Sequence, residues 1–373
     1  MVRVAIDARL LAYQRAGTAT YIRGILQGFW KAGDISDPLV ILASRRDRHP
    51  ETVARRSRRV LWTPCHHRLE RWTLGLELAM LPLDVLHSPD FIPPARLGRH
   101  WARVATVHDL AFLRFPELLT ADSRRYYGQI HRAVREAERI IAVSEATRRD
   151  LLELTGVSPD KVVVVPEGVD DDFVPLDAVE CQTRVRDRFG IERPYFLFVG
   201  TLEPRKNLRR LFEAFDTFRR RVGPNGPLLV LAGRKGWLAD DLDELARPLG
   251  DAVRFLGGVD REDLIALYNG GLALILVSLY EGFGLPPLEA MACGRPTLVA
   301  NTASLPEVVG DAGLLVSPTD VDAIANGLER LWDDEVLRTT LGEIGKRRAA
   351  QFDWVSVARR THAVYRQAVE CAS

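Results

Sequence analysis

Short β-rich apolar runs alternate along the chain with longer stretches of helical character. Strands are predicted at 2–7, 39–43, 83–87, 103–107, 140–143 and 162–165. Helices are predicted at about 20–31 and at 145–154, the second with Ser144 as N-cap. Residues 170–189 have weak periodicity and are predicted to be a linker. The pattern then restarts, with strands at 195–200, 228–232, 253–256 and 297–300 and a helix at 208–220. The apolar run 272–279 has the length of a buried strand. The last helices begin near 321. Such alternation predicts an α/β protein whose parallel sheets carry helices on both faces. It occurs twice, over 1–175 and 190–351. The expected architecture is therefore two Rossmann-like doubly wound domains facing a central cleft, with ligands at the carboxyl ends of the strands.

Composition narrows the class. Of 373 residues, 47% are hydrophobic, enough for sizeable cores and too many for a disordered chain. No apolar run is long enough for a membrane span. The start, MVRVAIDARL, reads directly as a strand without a signal-peptide pattern. Cys65, Cys181, Cys293 and Cys371 lack C-x-x-C spacing, which argues against zinc and for the reducing cytoplasm. A net charge of +1 suggests no nucleic-acid partner. The charge is uneven, however: residues 45–72 hold nine arginines against three acids.

Candidate chemistry centres on YEGFGLPPLEAMAC, from Tyr280 to Cys293. Gly282 and Gly284 permit a tight turn, and Pro286 and Pro287 mark a helix start. Glu281 then sits on the loop and Glu289 about one turn into the helix. Between them the amides of Gly284 and Leu285 can hold phosphate, while the carboxylates accept from hydroxyl groups. The dinucleotide pattern G-x-G-x-x-G fails here, because its third glycine is Pro287. Arg205 and Lys206 follow a strand end and supply two cations suited to a diphosphate. His108 and Asp109 end another strand. D-x-D pairs occur at Asp170/Asp172, Asp241/Asp243 and Asp320/Asp322. The first lies in the expected linker and the others near helix starts, where Asp serves as cap or dipole partner, so all three are read as structural.

The Tyr280–Cys293 string resembles the E-x7-E motif of retaining glycosyltransferases of family 4 (group 1), which have the GT-B fold. GTATYIRGIL, VHDL, AVSEATRRDL, VPEGVD, GTLEPRKNL, FLGGVDREDLIALY and GRPTLVANTASLPEVVGDAG are also similar to that family, in order and spacing. Together they cover nearly all of the chain outside roughly 45–80. One departure is Ala16-Gly17, where many members carry two glycines. The resemblance implies a hexose donor site in the C-terminal domain. There Glu289 binds the nucleotide ribose and Glu281 the sugar hydroxyls, with Phe283 and Gly17 also on the donor. His108 lies near the transferred sugar, and Asp109 falls on the acceptor side, in the N-terminal domain. The segment 352–373 crosses back to that domain. The same resemblance implies a nucleotide-sugar donor, with Arg205 and Lys206 replacing a metal, so that no cofactor is expected. VHDLAFLRFP and GTLEPRKNL are similar to bacterial mannosyltransferases of surface polysaccharides, which points to mannose from GDP-mannose.

Two other activities fit the same motifs: a GT-B sugar-nucleotide epimerase or hydrolase, and a non-catalytic sugar-nucleotide sensor. Retention of Glu281, Glu289, Arg205, Lys206 and His108 together argues against the sensor. Arg45, Arg46, Arg48, Arg55, Arg56, Arg58 and Arg59, followed by Trp62 and Trp72, suit an anionic membrane surface. The expected acceptor is then a glycan or a polyprenyl-diphosphate-linked glycan, met by a cytoplasmic enzyme peripheral at the inner face of the membrane.

Overall fold

The computed structural model describes residues 1–13, 17–47, 57–97, 101–118, 124, 126–236 and 241–372. The chain forms two compact units. One comprises Met1–Gly168 and Asp353–Ser373, the other Val169–Phe352.

Among the described residues the first unit holds a seven-stranded sheet in the order β3-β2-β1-β4-β5-β6-β7. The strands are β1 (Val4–Asp7), β2 (Leu39–Ser44), β3 (Arg58–Leu61), β4 (Val85–Ser88), β5 (Ala102–Val107), β6 (Arg139–Ala142) and β7 (Val162–Val164). Every pairing is parallel. The sequence reading missed β3, whose Arg-Arg-Val-Leu lacks a central strand's apolar content. It is an edge strand with half of its residues exposed, where charged side chains blunt further pairing. Three helices of this unit matter below: α1 (Gly17–Lys31), α2 (Glu70–Leu78) and α3 (Glu145–Thr155). Ser144 caps α3 as expected, accepting from the Thr147 amide at 3.0 Å.

The second unit holds a six-stranded parallel sheet in the order β10-β9-β8-β11-β12-β13. Its strands are β8 (Tyr195–Val199), β9 (Leu228–Ala232), β10 (Val253–Gly257), β11 (Ala273–Leu276), β12 (Thr297–Ala300) and β13 (Gly313–Val316). The expected linker over 170–189 is not one. Residues Ala178–Phe189 form helix α4, and the division between units falls earlier, after Gly168. Asp177 caps α4 through the amides of Val179 and Glu180, and Cys181 and Val185 face the core. Only two buried positions in twelve residues leave too faint a periodicity to read. The apolar run 272–279 is likewise strand only over Ala273–Leu276. Beyond it the backbone leaves the sheet: the Asn207 amide donates to Val277 O at 3.0 Å, and Leu279 N to Arg205 O at 2.9 Å. Further helices are α5 (Leu208–Val222), α6 (Arg261–Gly270), α7 (Leu285–Ala292), α8 (Val321–Asp333) and α9 (Glu335–Ala349).

The last helix, α10 (Trp354–Ala372), belongs to the first unit and packs along α1. Its Trp354 is the reason for three small residues. A Cβ on Gly24 would lie 2.0 Å from the indole Cε2, one on Gly28 2.0 Å from the Trp354 carbonyl oxygen, and one on Gly168 2.8 Å from the indole Cδ2. Gly28→Ala should therefore destabilise the first unit by about 3 kcal/mol, the upper end for overpacking, because backbone rather than a rotatable side chain blocks the methyl. An unchanged urea midpoint would contradict this packing.

Candidate active site

In the second unit the site is assembled from the loops that follow β8 and β11. The turn after β11 needs Gly284, whose φ is +123° and whose Cβ would press on Leu305 at 3.0 Å. Gly284 is also the N-cap of α7. Pro286 and Pro287 follow Leu285 and carry no N–H, so the amides of Gly284 and Leu285 are the donors this helix start can offer. Ser304 staples the turn. Its hydroxyl donates between Phe283 O at 2.6 Å and Glu281 O at 2.8 Å. Phe283 itself is turned inward, with its ring edge on Phe352 at 5.9 Å, so its carbonyl rather than its ring shapes the loop.

Arg205 and Lys206 form a short turn after β8 and reach the same place. Lys206 Nζ donates to Glu281 Oε1 at 2.6 Å, and Arg205 Nη1 to Glu281 Oε2 at 2.9 Å and to Tyr280 O at 2.7 Å. The other edge of the Arg205 guanidinium is held by Glu203 at 2.7 Å. The two cations predicted to await a diphosphate are thus engaged by carboxylates. Burial alone would raise the Glu281 pKa, but Lys206 and Arg205 outweigh it and hold the group down at about 2. A buried ion cluster is a weak contributor to stability once desolvation is counted. Its location at strand ends, beside free helix amides, is better explained by ligand chemistry.

Glu289 lies on α7, and Tyr268 of α6 donates its hydroxyl to Glu289 Oε2 at 2.7 Å. Burial is the main reason its pKa rises to about 7. Tyr268 opposes the rise, and the field of Asp170 and Asp172 adds to it. Those two aspartates, one of the D-x-D pairs, are both bound by Arg261: Nη2 to Asp170 at 2.6 Å and Nε to Asp172 at 2.5 Å. Of the other pairs, Asp320 caps α8 through Ala323 N at 2.9 Å. Asp241 makes no cap bond and instead pairs with Arg209 at 2.8 Å, while Asp243 lies in the first turn of its helix, as a dipole partner would, and pairs with Lys235. The helix there is only five residues long and leaves these side chains exposed to nearer cations.

In the first unit His108 follows β5, but both ring nitrogens are occupied. Nε2 faces Pro89 O and Nδ1 faces Glu167 Oε1, each at 2.8 Å. A carbonyl and a carboxylate accept, so this pair of partners favours the doubly protonated ring. Burial works against that charge, yet Glu167 and the Pro89 carbonyl prevail and the pKa is raised. Tyr21 of α1 lies edge-on to the ring at 4.9 Å between centroids. Asp109 turns away from that pair: its Oδ1 accepts from Ala111 N at 3.1 Å and closes a local turn. Gly17 begins α1, and a Cβ there would meet nothing within 4 Å among the described residues, so no contact with them demands glycine. The neighbouring Ala16 lies outside the described residues.

Sequence reasoning did not single out Glu203, Glu167, Tyr268 and Ser304. All four sit inside stretches already noted, GTLEPRKNL, VPEGVD, FLGGVDREDLIALY and GRPTLVANTASLPEVVGDAG. Nothing in the sequence marks Ser304 as the staple of a turn twenty residues earlier.

This pairing of parallel α/β domains is shared with solved structures. Sucrose-phosphate synthase from Thermosynechococcus elongatus superposes with a TM-score of 0.77 at 21% identity, covering 98% of this chain and 99% of that one. WaaG, a glycosyltransferase involved in lipopolysaccharide biosynthesis, superposes with a TM-score of 0.75 at 18% identity, covering 96% and 98%. The fold is GT-B, two Rossmann-like domains. Sequence comparison goes further. The model described as "Glycosyl transferases group 1" matches residues 182–348, and "Glycosyltransferase Family 4" matches 15–173. The O-antigen chain mannosyltransferase B of Escherichia coli is 36% identical over 76% of this chain and 74% of its own length. The MMP alpha-(1->4)-mannosyltransferase of Mycolicibacterium hassiacum is 34% identical over 66% of this chain and 59% of its own. The chain belongs to the family 4 (group 1) glycosyltransferases. It is therefore a glycosyltransferase.

Proposed function

We propose that the protein is a retaining, metal-independent mannosyltransferase of surface-polysaccharide synthesis, with GDP-mannose as donor. The observation that carries this reading is the convergence of Arg205, Lys206 and Glu281 beside the α7 amides, with Glu289 one turn deeper. The mannosyltransferase names of its relatives support the sugar. The unit Val169–Phe352 holds the donor and the other unit the acceptor. The donor diphosphate draws Arg205 and Lys206 partly away from Glu281 and receives the amides of Gly284 and Leu285. Glu281 then accepts from the sugar hydroxyls, and Glu289 from the ribose. Catalysis is charge stabilisation on the departing diphosphate. The bond from the sugar anomeric carbon to the phosphate oxygen breaks, and one to an acceptor hydroxyl forms on the same face. The acceptor's proton goes to the leaving phosphate oxygen. His108, with both nitrogens already donating, contributes a fixed positive charge rather than a base. The acceptor is placed on a polyprenyl diphosphate, at the cytoplasmic face of the membrane.

A thermal-shift series with GDP-mannose, UDP-glucose and ADP-glucose in EDTA tests the donor and the metal together. A ligand at a hundred times its Kd stabilises by about 2.7 kcal/mol, a clear rise in Tm. GDP-mannose should give the largest rise, undiminished by EDTA. A response only to another base, or only on adding Mg or Mn, would sink the assignment.

A further inference from the structure

Large apolar side chains are unusually exposed in one short stretch of the first unit. Val60, Trp62, Leu69, Trp72, Leu76 and Met80 are between 46% and 88% exposed. Leu69, Trp72, Leu76 and Met80 recur at spacings of three, four and four, so they form a stripe on the outer face of α2 and its flanks. Trp62 adjoins this stripe: its backbone amide donates to Glu77 of α2 at 2.8 Å. An apolar group of this kind on a soluble surface marks an interaction site.

The charges around it choose the partner. Both acids of α2 are turned to internal work. Glu77 receives the amides of Trp62 and Thr63, and Glu70 binds Arg9 and the His66 amide. Among the described residues of 45–72, the exposed charged side chains are Arg45, Arg46, Arg59 and Arg68. Arg45 lies over the Trp62 ring at 5.1 Å, and Arg71, ion-paired to Glu136, lies 5.5 Å from the Trp72 ring centroid. Two copies of the chain meeting through this face would bring like charges together. We infer that this face docks on an anionic phospholipid bilayer, with Leu76 and Met80 entering the acyl boundary, Trp62 and Trp72 at the interface, and the arginines on headgroups. This surface is wider than the arginine run that marks it in sequence. Arg48, Arg55 and Arg56 lie outside the described residues, Arg58 is turned to the Asp47 carbonyl at 3.2 Å, and the apolar stripe continues to residue 80.

The geometry also ties docking to the acceptor side. Glu70, on the inner side of α2, holds Arg9 at 2.7 Å, and Arg9 clasps Asp7 at the carboxyl end of β1. A lipid-borne glycan would thus meet the strand ends about one helix diameter, ~10 Å, from the bilayer surface. The docking inference itself stands independently of the donor assignment.

The test is sedimentation of the full chain with phosphatidylcholine vesicles, with and without phosphatidylglycerol, at low and high salt. Wild type should sediment with the anionic vesicles and less so as salt rises. The double variant Trp72→Ser/Leu76→Ser should lower the partition coefficient by roughly tenfold or more at every salt, since it removes buried apolar surface. Arg59→Ser/Arg68→Ser should lower it mainly at low salt. All four side chains are on the surface, and an unchanged unfolding midpoint verifies each variant. Wild type that stays in the supernatant with anionic vesicles at low salt overturns the inference. So do variants that bind as wild type does, or a lipid-free dimer in analytical ultracentrifugation that Trp72→Ser/Leu76→Ser abolishes. Nucleotide thermal shifts of the same variants should match wild type, so a wrong donor assignment leaves the vesicle result unaffected.

Discussion

Lys206→Ala is expected to lower turnover by roughly 10²–10³, the scale for removing one preorganised donor from a transition state. The leaving diphosphate gains negative charge as the glycosidic bond breaks, and Lys206 is a compact cation already delivered to the site. It is buried, and its ammonium lies 2.6 Å from Glu281. Arg205→Ala should cost a similar factor. Glu203 holds one edge of its guanidinium, which keeps the group at the site when the other edge leaves Glu281 for the diphosphate. Single-turnover rates at saturating donor provide the measurement. If both variants kept wild-type rates, the diphosphate would have to bind elsewhere. The acid side carries a linked expectation. Glu281 is held at about 2 by these two cations, so its stabilising pairing is present above its ordinary carboxylate range. That contribution is lost as pH falls from the ordinary range through about 2.

The two glutamates should separate in a way that sequence alone did not suggest. Glu281 competes with the diphosphate for Arg205 and Lys206. Glu281→Gln therefore frees both cations and should tighten GDP by about tenfold, equivalent to roughly 1.4 kcal/mol, while turnover of the sugar nucleotide falls. Glu289 meets the ribose and not the phosphates, so Glu289→Gln should weaken GDP and GDP-mannose alike. Its pKa of about 7 makes wild-type binding pH-dependent. Ribose hydroxyls donate to the carboxylate form, so binding is strong above that pH. It should weaken as pH falls through 7, by up to about tenfold per unit. The Glu289→Gln variant lacks this dependence, and its titration beside wild type removes the contribution of the nucleotide's own phosphates. Calorimetry at three pH values decides the matter. Weaker GDP binding in Glu281→Gln would show that Glu281 does not compete for the clamp.

The local pattern along the chain was sufficient for the strands that end in candidate chemistry. β1, β5, β6, β8, β9 and β12 are compact β-rich blocks buried in their sheets, and a buried parallel strand shows itself as an apolar run. The turn at Gly284 and the Ser144 cap were legible for the same reason, since each depends on residues within a few positions. The edge strand β3 and helix α4 were not, because a half-exposed element carries little periodic signal. Partnerships were also out of reach. The chain names Glu281, Arg205 and Lys206 as charged residues at strand ends, but Glu281 is more than seventy positions from the other two. Only the parallel order β8-β11 sets their loops side by side. The same holds for His108 and Glu167, brought from the ends of β5 and β7 onto one imidazole. What sequence determined was the residue types and the elements that carry them. Tertiary structure decided which opposite charges would neutralise one another, because that choice depends on distances of a few ångströms between segments remote along the chain.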